Sequence, residues 1–429
     1  MATSDVSVGE RVDLCRFVTC GSVDDGKSTL IGRLLYDSKQ VMVDQLEHVE
    51  TASERRGDGY VNLALLTDGL RAEREQGITI DVAYRPFATT RRRFIIADCP
   101  GHVQYTRNMV TGASTADIAV ILIDARNGVV EQTRRHTFIC SLLRIPRLVV
   151  AVNKMDLVDY SQERFAEIAR DFLRFTDGFD VEVDIVPISA LSGDNVVEPS
   201  RTMDWYSGPT LLGRLEDAPL ESAAQRDTPF RFPVQWVVRP QSNEHHDYRG
   251  YAGQIASGSV RPGDEIVVLP AGRQTTVAAV ETLDGGRDVA EAPLSVVVRL
   301  ADDIDVSRGD MLAPVDRPAT VTREVVADVC WMSDRPLVER GRYLLRHTTR
   351  EVTAIVDRIV HRVDIHALAE EPATQLELND IGRLVLRTSG PLAADAYAED
   401  RATGSFILID EATNETLGAG MIAEAVAAG

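Results

Sequence analysis

The chain has 429 residues, with 46 Lys+Arg against 66 Asp+Glu and a net charge of −20, so at about 150 residues per domain roughly three domains are expected. With 44% hydrophobic and 26% charged residues, the composition is that of a globular protein and excludes disorder as the main state. The acidic balance holds in residues 1–227 (26 basic, 35 acidic) and in the remainder (20 and 31), which argues against gripping DNA or RNA, a task for clustered cations.

Residues 14–220 alternate short apolar, β-branched runs with helix-compatible stretches, the rhythm of a doubly wound, mostly parallel α/β domain. The first predicted strand, Arg16–Cys20, runs into Gly21-Ser22-Val23-Asp24-Asp25-Gly26-Lys27-Ser28. This fits G-x-x-x-x-G-K-[ST] between a strand and a helix, the setting a P-loop needs. Its glycines let successive N–H groups face phosphate oxygens, and the helix that follows adds its positive N-terminal end. Lys27 would reach the terminal phosphates, the Ser28 hydroxyl would ligate Mg²⁺, and Thr29 belongs to the same nucleotide contact set.

The polar segment 36–76 reads as a mobile switch. It ends at Gly77-Ile78-Thr79-Ile80, where Thr79 would complete the Mg²⁺ shell. After the strand Phe94–Ala97 comes Asp98-Cys99-Pro100-Gly101-His102. Asp98 would hold Mg²⁺ through a water, and the Gly101 amide would touch the γ-phosphate. The strand Ile118–Ile123 and the helical stretch Gln132–Leu143 precede another strand, Leu148–Val152. This one ends in Asn153-Lys154-Met155-Asp156. A carboxylate at Asp156 can accept from guanine N1–H and the exocyclic amine, a pair that adenine lacks. The nucleotide is therefore expected to be GTP. Ser189-Ala190-Leu191, after the strand Ile185–Ile188, fits the supporting guanine loop.

Near residue 221 a polar linker begins, and helical periodicity fades. Alternating runs at Pro233–Val238, Gly253–Ala256, Asp264–Leu269, Thr275–Val280 and Ser295–Leu300 predict one β-barrel. A break around 313–322 precedes a second set at Glu324–Trp331, Arg342–His347, Glu351–Val363, Thr374–Leu386 and Ser405–Asp410. The expected domains are 1–225, a GTP-binding P-loop domain, and two β-barrels at 226–318 and 319–429. Arg91-Arg92-Arg93 reads as a solvated hairpin tip and His245-His246 as a solvated loop. The five cysteines make no metal-ligand spacing and read as buried free thiols. No signal peptide or membrane-length apolar run is visible, so a cytoplasmic protein with no membrane partner is expected.

Only three of the 46 basic residues are lysines: Lys27, Lys39 and Lys154. Two of the three fall inside nucleotide motifs. A slim ammonium on a flexible stem is not replaced by a broad guanidinium inside a phosphate loop.

In this order and spacing the motifs resemble translation-factor-type GTPases, and 253–264 is similar to the second-domain barrel of that superfamily. The stretch Leu63–Asp81, Tyr105-Thr-Arg-Asn-Met109 and Gln132-Thr-Arg-Arg-His136 resemble, more narrowly, the GTPase-subunit family of bacterial sulfate adenylyltransferases. That resemblance implies a partner, a small catalytic subunit making adenylyl sulfate and pyrophosphate from ATP and sulfate, with GTP hydrolysis on this chain coupled to the unfavourable step. It also implies that His102 orients the attacking water. Some relatives carry a fused adenylyl-sulfate kinase; no second G-x-x-x-x-G-K-[ST] occurs here, so that activity is expected to be absent. Two alternatives stay open: an elongation factor delivering aminoacyl-tRNA, and a nucleotide-gated assembly protein.

The guanine assignment generates the first test. Asp156→Asn is expected to weaken GTP binding and shift preference toward xanthosine nucleotides, measured by competition binding; unchanged guanine selectivity would contradict the assignment.

Overall fold

The computed structural model describes residues 13–39, 47, 49, 51, 53, 54, 61–66, 81–102, 106–220, 228–240, 248–365 and 367–426. The chain forms two compact units that divide between Pro219 and Leu220.

The first unit is built on six strands: β1 Leu14–Cys20, β2 Ala83–Ala88, β3 Arg93–Asp98, β4 Ile118–Asp124, β5 Arg147–Asn153 and β6 Glu182–Pro187. Their order in the sheet is β2-β3-β1-β4-β5-β6. All pairings are parallel except β2 with β3. Strand β1 thus has β3 on one side and β4 on the other. The chain leaving β1 runs to the β2–β3 side and the chain leaving β4 runs to β5 on the opposite side, which opens a crevice at the carboxyl ends between them. Every residue of β4 is buried, as a near-continuous apolar run predicts for a strand covered on both faces. The helices of this unit include α1 Lys27–Asp37, α2 Thr106–Ala113, α3 Glu131–Leu142, α4 Gln162–Phe175 and α5 Leu211–Asp217. In α4, Ile168, Phe172 and Phe175 are buried at helical spacing, and the Ser161 hydroxyl caps the first turn by accepting from Arg164 N–H.

Strand β2 was not legible in the sequence, since Pro86 interrupts it. Proline is tolerated there because β2 is an edge strand. Phe87 anchors it by stacking at 4.7 Å on Phe94, its direct neighbour in register, with Phe17 edge-on at 6.3 Å; such aromatic pairs add about 0.5–1.5 kcal/mol each. At the β2–β3 turn the arginines are more than a solvated tip. Arg91 pairs with Glu216 and Asp217, and Arg92 donates to the carbonyls of Leu215 and Ala218. They thereby satisfy the carboxyl end of α5.

The second unit holds two large antiparallel sheets and two small two-stranded ones. In the first, strand Phe232–Pro233 lies at one end of the pairing path and Trp236–Val238 at the other. Two intervening residues cannot span a flat sheet, so the sheet curls until its ends meet. Its interior is filled by Phe232, Tyr251, Val268, Val298 and Leu312. In the second sheet, Arg342–His347 pairs with both Arg350–Asp364 and Ser405–Ile409. This closes a six-stranded barrel around Trp331, Leu345, Leu384 and Leu408. The final strand, Thr416–Val426, alternates small residues and escaped the hydrophobic pattern. Thr374–Leu386 splits into Gln375–Leu376 and Ile381–Ala394, because Asn379 takes a left-handed turn between them. The architecture is an α/β P-loop domain followed by two β-barrels.

A buried ion pair joins the two barrels. Arg231 and Asp395 meet through two 2.8 Å hydrogen bonds. Arg231 also donates to the carbonyls of Phe230 and Arg317, and Asp395 accepts from Thr403 at 2.6 Å. Burial pushes the Asp395 carboxyl up, but the Arg231 guanidinium overrides this and holds it below the ordinary carboxylate range. Because the folded value is depressed, the pair's contribution is complete above the ordinary carboxylate range and is lost as pH falls through the lowered value. Asp395→Asn, which strands Arg231, is expected to cost roughly 3–5 kcal/mol in denaturant unfolding, and Arg231→Met with Asp395→Leu far less. Equal losses in the two variants would contradict this.

Candidate functional site: a nucleotide crevice at the carboxyl ends of the strands

The loops that follow β1, β3, β5 and β6 meet at this crevice. Asn153, the last residue of β5, donates its side-chain amide to the Asp25 carbonyl at 2.8 Å. Its side-chain oxygen accepts from Ala190 N–H at 2.9 Å. One side chain thus ties the 21–28 loop to the 189–191 loop. Lys154, in a left-handed conformation, donates to the Asp24 carbonyl and pairs with Asp124 at 3.0 Å. Ser189 donates to Asp156 at 2.7 Å, holding that carboxylate in one orientation. On the far side of the loop, Arg33 of α1 donates to the carbonyls of Ala190 and Leu191.

The 21–28 loop is braced from within. Ser22 N–H donates to the Asp25 carboxylate at 2.5 Å. Burial raises the pKa of that carboxyl, with the Ser22 hydrogen bond and Lys27 opposing. Gly26 ends the loop at φ +94°, and a Cβ there would lie 2.5 Å from Asn153 Nδ2. Only glycine satisfies both the dihedral and the contact. Lys27 begins α1 and is buried. Its Nζ donates to the carbonyls of Gly21 and Ser22 at 2.9 Å each. Burial lowers the pKa of the ammonium, and Asp98 partly restores it. Such a cation gains from an anionic partner, which a terminal phosphate supplies.

The 98–102 loop closes on the same point. A Cβ on Gly101 would meet Lys27 Nζ at 2.4 Å and the Gly21 carbonyl at 2.6 Å. Asp98 is buried at the end of β3, with Thr19 Oγ1 3.5 Å from its Oδ1. His102 stands exposed at the loop's outer end. Ser28 and Thr29 lie half-buried in the first turn of α1. Ser28 and Asp98 are hard oxygen donors of the kind Mg²⁺ takes. Not every residue of the motifs points a side chain at the crevice. Cys99 is buried against α2, its Sγ 3.9 Å from the carbonyls of Asn108 and Met109. Pro100 and Met155 are buried, whereas Val23 and Leu191 are exposed. Thr79, His245 and His246 lie outside the described residues.

Asp124, absent from the sequence reading, belongs to the site. Burial works against its ionisation, but hydrogen bonds from Arg126 and Lys154 hold its pKa down at about 2. Its ion pair with Lys154 aligns that side chain. The signal was present: like Asp98, it is a carboxylate that ends an apolar strand run. All five cysteines are buried and free. Among the described residues no helix is long and apolar enough to cross a membrane.

Comparison with known proteins adds the following. Residues 13–224 match the Elongation factor Tu GTP binding domain, and residues 324–423 match the GTP-eEF1A C-terminal domain-like family. Sulfate adenylyltransferase subunit 1 of Aeromonas hydrophila subsp. hydrophila is 53% identical over 418 residues, 97% of this chain and 87% of that protein. The protein of the same name from Vibrio vulnificus is 52% identical over 96% of this chain and 87% of that protein. The Bifunctional enzyme CysN/CysC of Mycobacterium tuberculosis is 55% identical over 97% of this chain and 68% of that protein. A solved structure of sup35 complexed with GMPPNP aligns over 97% of this chain and 95% of that one at 25% identity, with a TM-score of 0.44.

The Asn153 hydrogen bonds generate a prediction. Asn153→Ala leaves the Asp25 carbonyl and the Ala190 amide without partners, at about 1–3 kcal/mol each. GTP affinity is expected to fall by roughly tenfold or more, read by titration calorimetry; unchanged affinity would show that the two loops hold without this clamp.

Proposed function

Because this chain belongs to the sulfate adenylyltransferase subunit 1 family, we propose that it is the GTPase subunit of a heteromeric sulfate adenylyltransferase. In this reading GTP hydrolysis on the first unit drives the reaction ATP + sulfate → adenylyl sulfate + pyrophosphate, which a separate small subunit catalyses. The observation that carries the GTP half is the convergence of Asn153, Lys154 and Gly101 on one P-loop, with Asp156 oriented by Ser189.

The residues then divide the work. Asp156 reads guanine, and Lys154 lies along the base. Gly21 to Thr29 and Gly101 hold the phosphates, with Lys27 as the buried cation. His102 orients the attacking water, a positioning task suited to a loose phosphoryl-transfer transition state. Ser28, Asp98 and Thr79 would hold Mg²⁺, which when bound offsets negative charge on the phosphate oxygens. The domain division is taken as 1–225, 226–318 and 319–429. Residues 1–429 contain a single G-x-x-x-x-G-K-[ST] motif, so the reading gives them no adenylyl-sulfate kinase activity. It places the chain in the cytoplasm, without nucleic-acid or membrane partners. Residues 228–429 carry 20 basic against 31 acidic groups, which disfavours the aminoacyl-tRNA alternative.

The test mixes the purified chain with the small catalytic subunit and follows sulfate-dependent pyrophosphate release from ATP. GTP is expected to raise both the rate and the final yield of adenylyl sulfate. If neither changes with GTP, the proposal fails.

A further inference from the structure

Between the Gly101 amide and the His102 side chain lies one peptide plane. Glycine constrains its ψ less than any other residue, so the Gly101–His102 plane needs an external tether. The structure supplies one from α3. Gln132 Nε2 donates to the Gly101 carbonyl at 3.2 Å. A carbonyl only accepts, so this is the sole amide orientation that makes the bond. Gly101 is thus pressed against Lys27 and the Gly21 carbonyl, where a Cβ would not fit, and held through its oxygen by α3.

The rest of that helix face offers no competing grip. The other end of the Gln132 amide, Oε1, is buried without a hydrogen-bond partner. One turn on, His136 is buried with its Nδ1 likewise unpartnered. Burial, reinforced by the charges of Lys27 and Arg135, pushes the imidazole pKa down to about 3, so it is neutral. A buried amide is not left half-satisfied without consequence: an unmatched polar atom costs about 1–3 kcal/mol. Half-buried Gln132 spends its donor on the Gly101 carbonyl and leaves its Oε1 unmatched.

We propose that Gln132 is a positioning residue for GTP hydrolysis, its amide holding the Gly101–His102 peptide and so aiming the His102 side chain at the attacking water. This rests on the GTPase reading above. Gln132 does not contact the reacting atoms in this scheme; it acts through His102.

The experiment compares Gln132→Met, which keeps length and bulk but loses the donor, with Gln132→Ala, His102→Ala and the double variant Gln132→Ala/His102→Ala in the full chain. Affinities for GTP and GDP are measured alongside single-turnover hydrolysis. Both Gln132 variants are expected to slow hydrolysis about ten- to a hundredfold, the scale of a misplaced catalytic group. Nucleotide affinity should stay within about threefold, which separates positioning from binding. The double variant should be no slower than the slower single one. A wild-type rate in Gln132→Met with a loss only in Gln132→Ala would reduce the residue to packing and overturn the proposal; so would multiplicative slowing in the double variant. A wild-type chain that hydrolyses no GTP would sink the GTPase reading and this inference together, whereas unimpaired Gln132 variants in a hydrolysing chain would sink only the inference.

Discussion

The nucleotide crevice depends on one side-chain amide. Asn153 ends a buried parallel strand, so its position is set by the sheet rather than by any loop. From there it donates to the Asp25 carbonyl and accepts from the Ala190 amide, fixing two loops that sequence places more than 160 residues apart. Short connections of this kind carry few contacts of their own. Their shape is borrowed from the strand end. The left-handed Gly26 packs directly against that amide, where a Cβ would lie 2.5 Å from Asn153 Nδ2.

Electrostatics is layered on this frame. The buried cation Lys27 and the buried carboxylate Asp98 oppose each other's cost of leaving water. Lys154 has the same arrangement with Asp124, which Arg126 supports from outside. The two lysines therefore each sit beside a carboxylate of opposite sign, one in the 21–28 loop and one in the 153–156 loop. This matches the pattern expected of functional charges: burial made tolerable by a specific partner. The pair Arg231–Asp395 shows the same logic used for architecture, the guanidinium donating four hydrogen bonds and the carboxylate also accepting from Thr403.

Much of this was legible in the sequence, and the exceptions share a cause. The P-loop, Asp98–His102, Asn153–Asp156 and Ser189–Leu191 announce themselves because each follows a β-branched apolar run, and the sheet does place them together. What escaped were contacts between residues distant in sequence whose types are individually ordinary. Asp124 went unremarked beyond a strand run, Gln132 looked like part of a family signature, and Arg92 like a surface charge. Their roles arise from where the parallel sheet aims its carboxyl ends, and no local pattern encodes that. Strand β2 and the strand Thr416–Val426 were missed because Pro86 and a run of small residues mask the alternation.

The scarcity of lysine gives the site a chemical identity. Lys27 is buried, and Lys154 keeps about a fifth of its side chain in solvent, at 22%. Lys39 sits at the exposed end of α1. Nearly every other cation on the molecule is a guanidinium, inert to acylating reagents at neutral pH. Amine-directed chemistry therefore meets a surface with almost nothing to modify. Apart from the chain terminus and Lys39, the lysine such chemistry can reach is Lys154, which stands on the Asp24 carbonyl and Asp124, so the extent of acylation at Lys154 becomes an intrinsic gauge of how open the 153–156 loop stands to solvent.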